Sequence, residues 1–346
     1  MGSTLTERDV SRFRFWRLGL LTIVVAMASA MSHSGASWGA TGYDPASDPY
    51  SMQNIMTGDG VQAWQSAGYT GKGVDVALID TGVTPVTGLD SKTKVINGPD
   101  LSLDSQSPSL VHLDSNGHGT FMAGIIAGND GTTGGYRGVA PDARIVNVKV
   151  GVTDGGADVS QVIAAIDWVV QHRNDNGLNI RVINLSYGTN TTQGYLVDPL
   201  AYAVEQAWKA GIVVVAAAGN SGYQNGASAQ GLADPAYDPQ ILAVGAADTS
   251  GTAMPWDDQV APFSANAASC SNGCRAPDLV APGSHLQGLR VVGSYIDQNS
   301  PNGIVSDRYF RGSGTSEATA FTSGAVADLL QRYPQLPPDQ VKAMLT

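Results

Sequence analysis

One aspartate, one histidine, one asparagine and one serine stand in short islands of glycine, threonine and alanine, where strands or helices are expected to begin or end. Ile79-Asp80-Thr81-Gly82 ends an apolar run, and Asn116-Gly117-His118-Gly119-Thr120 precedes a helical stripe. Ala217-Ala218-Gly219-Asn220-Ser221-Gly222 ends a second apolar run, and Ser313-Gly314-Thr315-Ser316 leads into a C-terminal helix. Together these residues are the parts that acyl transfer to a hydroxyl requires: a nucleophile, a base, a carboxylate to orient the base, and a donor for the oxyanion.

Each residue also has a plainer role. Ser316 precedes Ala318, Phe321, Ala325 and Leu329, an apolar stripe at helical spacing, so it could act only as an N-cap. At a helix start it could equally face a substrate, because glycines allow close approach and unpaired N–H groups point outward. His118 stands before Met122, Ile125 and Ile126, where an imidazole with an ordinary pKa near ~6.5 suits a proton shuttle. His112, His172 and His285 lack such a setting and read as packing or surface residues. Asp80 could cap the turn that follows it, and Asn220 could simply form a turn. The four occurring together favour the chemical reading.

The elements that must position these islands are legible from the periodicity. Val74–Asp80, Ala143–Val150, Arg181–Leu185, Ile212–Ala218, Ile241–Ala246 and Asp278–Ala281 read as strands, most too apolar to have a wet face. Between them, Asp158 to His172 places Val162, Ile166, Val169 and Val170 on one helical face. Asp198 with Pro199 opens another helix, which Gly211 closes. This alternation predicts a doubly wound, mostly parallel α/β sheet with helices on both faces, which binds ligands at the carboxyl ends of its strands. Residues 82–116 and 189–199 are rich in glycine and polar residues and read as surface loops carrying specificity or metal ligands.

With 346 residues, 42% of them hydrophobic, the chain can bury a large core. A formal net charge of -11 without any basic run gives binding to nucleic acid or anionic lipid no electrostatic support. Arg8, Arg12, Arg14 and Arg17 precede an apolar stretch from Leu18 to Met27 and then Ala28-Ser29-Ala30, the pattern of a secretory leader. Ser34-Gly35-Ala36 is a second cleavage option. The alternative, an uncleaved anchor, is weakened because the stretch is shorter than the ~20 residues needed to cross a bilayer. The expected organisation is a leader at 1–30, a linker at 31–48 and one domain at 49–346, cut short inside a helix at its end. Cys270 and Cys274 flank Ser-Asn-Gly, and in an exported protein could close a local disulfide or remain free thiols.

In the order Asp, His, Asn, Ser, the islands resemble the subtilisin-like serine peptidases, the subtilase family. The resemblance is carried by Val76–Gly82, Gly117–Thr120, Ala218-Gly219-Asn220 and Gly314-Thr315-Ser316, and runs from about Pro49 to the end. It implies Ser316 as nucleophile, His118 as general base and acid, Asp80 as its orienter, and Asn220 with the Ser316 N–H as oxyanion hole. It further implies that Ser186, Tyr187 and Gly188, with Ala217, Ala218 and Gly219, wall a roomy uncharged pocket for apolar or aromatic side chains. Gly155 and Gly156 would offer an edge to the extended substrate. The expectation is an exported monomeric endopeptidase acting on proteins or peptides. No cofactor enters its chemistry, and the loops Asp100–Asp114 and Asp248–Asp258 are candidate sources of structural calcium ligands.

The chain departs from the family's usual pattern at Glu317, where most members place methionine after the nucleophile. A carboxylate there could raise the pKa of His118, although it is also a favourable charge in a first helical turn. There is also no room between Ala30 and Pro49 for the usual folding-assisting pro-region, so folding would be unaided or assisted by a separate partner. Two rivals remain at this stage: a catalytically silent peptide-binding relative, and an α/β-hydrolase esterase. The esterase is disfavoured by the residue order and by the missing final glycine of its serine elbow in Gly314-Thr315-Ser316-Glu317-Ala318.

Overall fold

The computed structural model describes residues 42–191, 193–222, 231–266 and 275–346. The leader, residues 31–41 of the linker and the Cys270/Cys274 pair lie outside the described residues. From Tyr43 onward the chain is already tied to the domain. Tyr43 donates to Asp48 Oδ2 at 2.6 Å, and the same oxygen pairs with Arg311 at 2.5 Å.

The first elements are α1 (Met52–Gly58), α2 (Val61–Ser66), β1 (Asp75–Asp80), β2 (Val95–Asp100), α3 (His118–Ala127), β3 (Arg144–Lys149), α4 (Val159–His172) and β4 (Ile180–Leu185). They are followed by α5 (Pro199–Lys209), β5 (Val213–Ala217), β6 (Leu242–Asp248), β7 (Gln259–Val260), β8 (Leu279–Pro282) and β9 (Leu286–Leu289). The last are α6 (Tyr295–Asn299), β10 (Tyr309–Gly312), α7 (Thr315–Arg332) and α8 (Pro338–Leu345).

The main sheet runs β2-β3-β1-β4-β5-β6-β7, with β8 also on β6, and every pairing except β6 with β7 is parallel. All six residues of β1 and all five of β5 are buried, as expected of strands covered on both faces. Helices α3 and α7 pack together and against the sheet, while α4 and α5 form a second pair against it, which is the doubly wound arrangement. The α4 face that is buried comprises Val162, Ala165, Ile166 and Val169, while Val170 is only half-buried. Asp158 caps that helix and its own N–H donates reciprocally to Gln161 Oε1, and Asp198 caps α5 with Pro199 in the first turn.

The stretch 82–116, read as surface loop, needs correcting. It contains β2, the edge strand beside β3, and a short 3₁₀ turn at Leu103–Gln106. Its mixed sequence, Val-Ile-Asn-Gly-Pro-Asp, hides the strand because an edge strand is half-wet and tolerates glycine and proline. The antiparallel pair β9/β10 also escapes the periodicity. It is short, and Gly288 sits there because an added Cβ would strike the ring of Phe121 at 2.5 Å.

The loop after β2 is fixed to the sheet by Lys149, the last residue of β3. Its side chain is fully buried, and Nζ donates to Asp104 Oδ2 at 2.9 Å and to the Leu113 carbonyl at 2.6 Å. Removing the ammonium takes a donor from the Leu113 carbonyl and leaves the largely buried Asp104 carboxylate with only the Ser115 hydroxyl at 3.2 Å on that oxygen. Lys149→Met is therefore expected to destabilise the fold by about 3 kcal/mol in urea unfolding, and to loosen the segment that leads into His118.

Candidate active site

Asp80 ends β1, Ser186–Gly188 follow β4, Asn220 follows β5, and Ser316 is the second residue of α7. Parallel pairing places the carboxyl ends of β1, β4 and β5 side by side, so these groups meet at one edge of the sheet. The His118 imidazole, about a quarter exposed at its side chain, bonds through Nδ1 to Asp80 Oδ1 at 2.8 Å. Asp80 Oδ1 also accepts the Thr81 N–H at 2.7 Å, which holds the carboxylate in place. With Nδ1 engaged, Nε2 is the nitrogen left to the cleft.

The approach of α3 to β1 requires a glycine. A Cβ on Gly119 would collide with the Gly82 carbonyl and lie 3.2 Å from Asp80 Oδ1. Asp114, at the end of one of the acidic loops considered for calcium, sets the start of α3. Buried at 2% exposure, it accepts Gly117 N–H at 2.7 Å, Thr120 N–H at 2.7 Å, Asn116 N–H at 3.2 Å and the Thr81 hydroxyl at 2.8 Å. It therefore caps the helix from outside and couples it to the residue after Asp80. The signal was present as an Asp-x-Asn-Gly cluster ahead of a helix.

Asn220 is similarly fixed. Its Oδ1 accepts the N–H and the hydroxyl of Thr315, at 2.9 and 3.0 Å, which turns Nδ2 toward the cleft. Ser316 Oγ lies 3.4 Å from the Ser186 carbonyl, and the Ser186 hydroxyl donates to the Ser316 carbonyl at 2.9 Å. Beneath them Asn184 links the Ser186 and Ser323 hydroxyls at 3.0 and 2.9 Å, joining β4 to α7. The positioning roles of Thr81, Asp114, Thr315 and this polar chain were not read from the sequence.

Three depressions border these groups, one lined by Ser316, one by His118 and one by both. A pocket of about 270 Å³ is lined by Ser186, Tyr187, Gly188, Ala217, Gly219 and Ala233 among others, all uncharged. Ala218 is fully buried and backs this pocket without lining it. A second, of about 300 Å³, includes Asp80, His118, Gly155, Ala157 and Tyr187. Gly156 is not in its lining; its carbonyl accepts the Val152 N–H at 3.0 Å within a tight turn. The third, about 570 Å³, runs from His118, Asn220, Ser316 and Glu317 toward α6 and β10.

The electrostatics of the centre are set by burial against carboxylates. Burial alone would lower the His118 pKa, but the charge and hydrogen bond of Asp80, followed by the charges of Glu317 and Asp114, override it and raise the value to about 9. Burial raises the Glu317 carboxyl, and His118 pulls it back. Among the described residues the other histidines stay outside: His172 bonds the Trp168 carbonyl and His285 packs on Tyr50.

Among the described residues, no three His, Cys, Asp or Glu side chains converge as a metal site. The candidate acidic loops use their carboxylates locally. Asp100 accepts from Ser102 and the His112 N–H, Asp104 pairs with Lys149, and Asp248 accepts the Ser250 N–H.

Residues 71–346 match the family model described as the subtilase family. The chain belongs to the subtilase family. This subtilase is 39% identical over 280 residues to serine protease AprX of Bacillus subtilis (strain 168), covering 80% of the chain and 61% of AprX. It is 34% identical over 298 residues to subtilisin DY of Bacillus licheniformis, covering 86% of the chain and 90% of that protein. It is also 31% identical over 288 residues to the minor extracellular protease Epr of Bacillus subtilis (strain 168), covering 83% and 36%. Among solved structures it resembles a cold adapted subtilisin-like serine proteinase, with a TM-score of 0.57 and 30% identity over 79% of this chain and 81% of that one.

Replacing Asp114 by alanine strands three backbone donors and the Thr81 hydroxyl at the start of α3. The expected result is a stability loss of about 3 kcal/mol in urea unfolding, and a fall in kcat larger than any rise in KM, because the imidazole loses its fixed orientation.

Proposed function

We propose that this subtilase is an exported serine endopeptidase that cleaves peptide bonds through an acyl-enzyme on Ser316. The observation that carries the reading is the His118–Asp80 bond, which frees Nε2 toward the cleft it shares with Ser316 and Asn220. Nε2 removes the hydroxyl proton as Ser316 Oγ attacks the carbonyl. The oxyanion is met by Asn220 Nδ2 and the Ser316 N–H. His118, now cationic and steadied by Asp80, returns the proton to the leaving amine, and water repeats the sequence to release the acid. The substrate backbone extends along Gly155 and Ser186–Gly188 as an added strand, with the preceding side chain in the uncharged pocket. The residues supply each part of this cycle without a cofactor.

Export is supported by the Arg-rich, apolar, Ala-Ser-Ala beginning of the chain and by the name of the relative Epr, an extracellular protease. No helix among the described residues is long and apolar enough to cross a membrane.

A fluorophosphonate should label the protein at Ser316, and Ser316→Ala should abolish both the label and peptide hydrolysis; an unlabelled, inactive wild type would defeat the reading. Asn220→Ala is expected to lower kcat by about 10²–10³ with little change in KM. Because the base works only when neutral and is held up to about 9, kcat/KM should climb with pH beyond the ordinary histidine range. Glu317→Gln removes one of the carboxylates that hold the proton, so the midpoint of that climb should move to lower pH. An unchanged pH–rate profile would show that the two groups are uncoupled.

A further inference from the structure

Glu317 lies where a substrate would feel it. A Cβ placed on Gly314 would sit 2.7 Å from Glu317 Oε2, 3.3 Å from Asn220 Nδ2 and 3.7 Å from the Ser316 nitrogen. A Cβ on Gly312 would strike the other carboxyl oxygen, Oε1. The carboxyl group is therefore laid against two glycines, and one oxygen borders the space between the two oxyanion donors. The side chain is buried in the protein, yet it lines the 570 Å³ depression that leads away from Ser316. The other two depressions take the acyl part of the substrate in the reading above, which leaves this one for the residues after the scissile bond.

The remaining charges along this depression are already committed. Arg290 is paired with Asp297 at 2.5 Å, and Arg311 with Asp48 at 2.5 Å. Glu317 makes no ion pair among the described residues; its carboxyl accepts its own backbone N–H, and the charges acting on it are those of His118 and, as a like charge, Asp80. Burial without a full partner is what pushes this carboxyl upward. An ionised oxygen beside the oxyanion space opposes the charge that develops there, unless a cation stands against it. His118 becomes cationic only as it takes the serine proton, and that charge is already shared with Asp80, to which it is bonded at 2.8 Å.

We propose that Glu317 selects substrates with lysine or arginine just after the scissile bond, whose side chain enters the α6/β10 depression and neutralises the carboxylate beside the oxyanion hole. The inference rests on the peptidase reading above and adds its leaving-side specificity. It also explains why a residue that hinders a general substrate can stand next to the nucleophile. A basic substrate replaces the missing partner and relieves both the base and the oxyanion of an uncompensated negative charge.

The test uses quenched peptides that differ only in the residue after the scissile bond, Lys, Arg, norleucine or Glu, together with the p-nitroanilide of the same acyl sequence, which carries no residue there. The full chain should hydrolyse the Lys and Arg peptides with kcat/KM about tenfold or more above norleucine, and the Glu peptide below it. In Glu317→Gln the four peptides should converge, and Glu317→Lys should favour the Glu peptide, with fluorophosphonate labelling of Ser316 showing that each variant is folded. Equal rates on all four peptides in the wild type, or a basic preference that survives Glu317→Gln, would overturn the inference while nitroanilide hydrolysis leaves the peptidase reading standing. Failure to hydrolyse the nitroanilide as well would remove both.

Discussion

Parallel pairing of β1, β4 and β5 is the constraint from which the site follows. Parallel neighbours must be joined by crossovers, so their carboxyl ends gather on one edge while the connections run back along the faces. Asp80, Ser186 and Asn220 all leave the sheet at that edge. The two remaining groups arrive as helix beginnings, His118 on α3 and Ser316 on α7, and these two helices pack against each other. Strand ends and helix starts are where backbone groups are unpaired, so the same topology that collects the side chains also exposes the Ser316 N–H.

Holding these groups still is the work of residues that touch no substrate. Asp114 caps α3 and grips Thr81; Thr315 turns the Asn220 amide; Ser186, Asn184 and Ser323 tie the start of α7 to β4. Each bond satisfies a buried polar group and removes a rotational freedom at the centre. The arrangement is polar where the sheet itself is apolar, and Lys149 marks the transition, a fully buried ammonium that anchors the loop leading to the histidine. Glu317 is the exception, a buried carboxyl whose nearest positive partner is the imidazole that must be neutral to act.

The sheet core was readable because residues such as Val213–Ala217 form apolar runs of strand length between capped helices. β2 was not readable, because half-wet edge residues lose the pattern, and neither was β9/β10, which is too short for a period to show. The four islands at Asp80, His118, Asn220 and Ser316 stood out because a chemically capable side chain stands among glycine, threonine and small residues at the end of an apolar run or the start of a helix. Asp114 lay in plain view inside a polar stretch, where its Asp-x-Asn-Gly setting did not by itself separate a helix cap from surface acidity.

The sequence by itself determined the alternation of elements, the chemical types of the reacting groups and their order along the chain, since these depend on local patterning and residue identity. Tertiary structure alone decided which polar groups are spent on one another and which face the cleft. Composition could not tell that Asp114 holds a helix while Glu317 borders the oxyanion donors. Both are acidic residues near a glycine-rich island, and they differ only in the partners that long-range packing brings within hydrogen-bond reach.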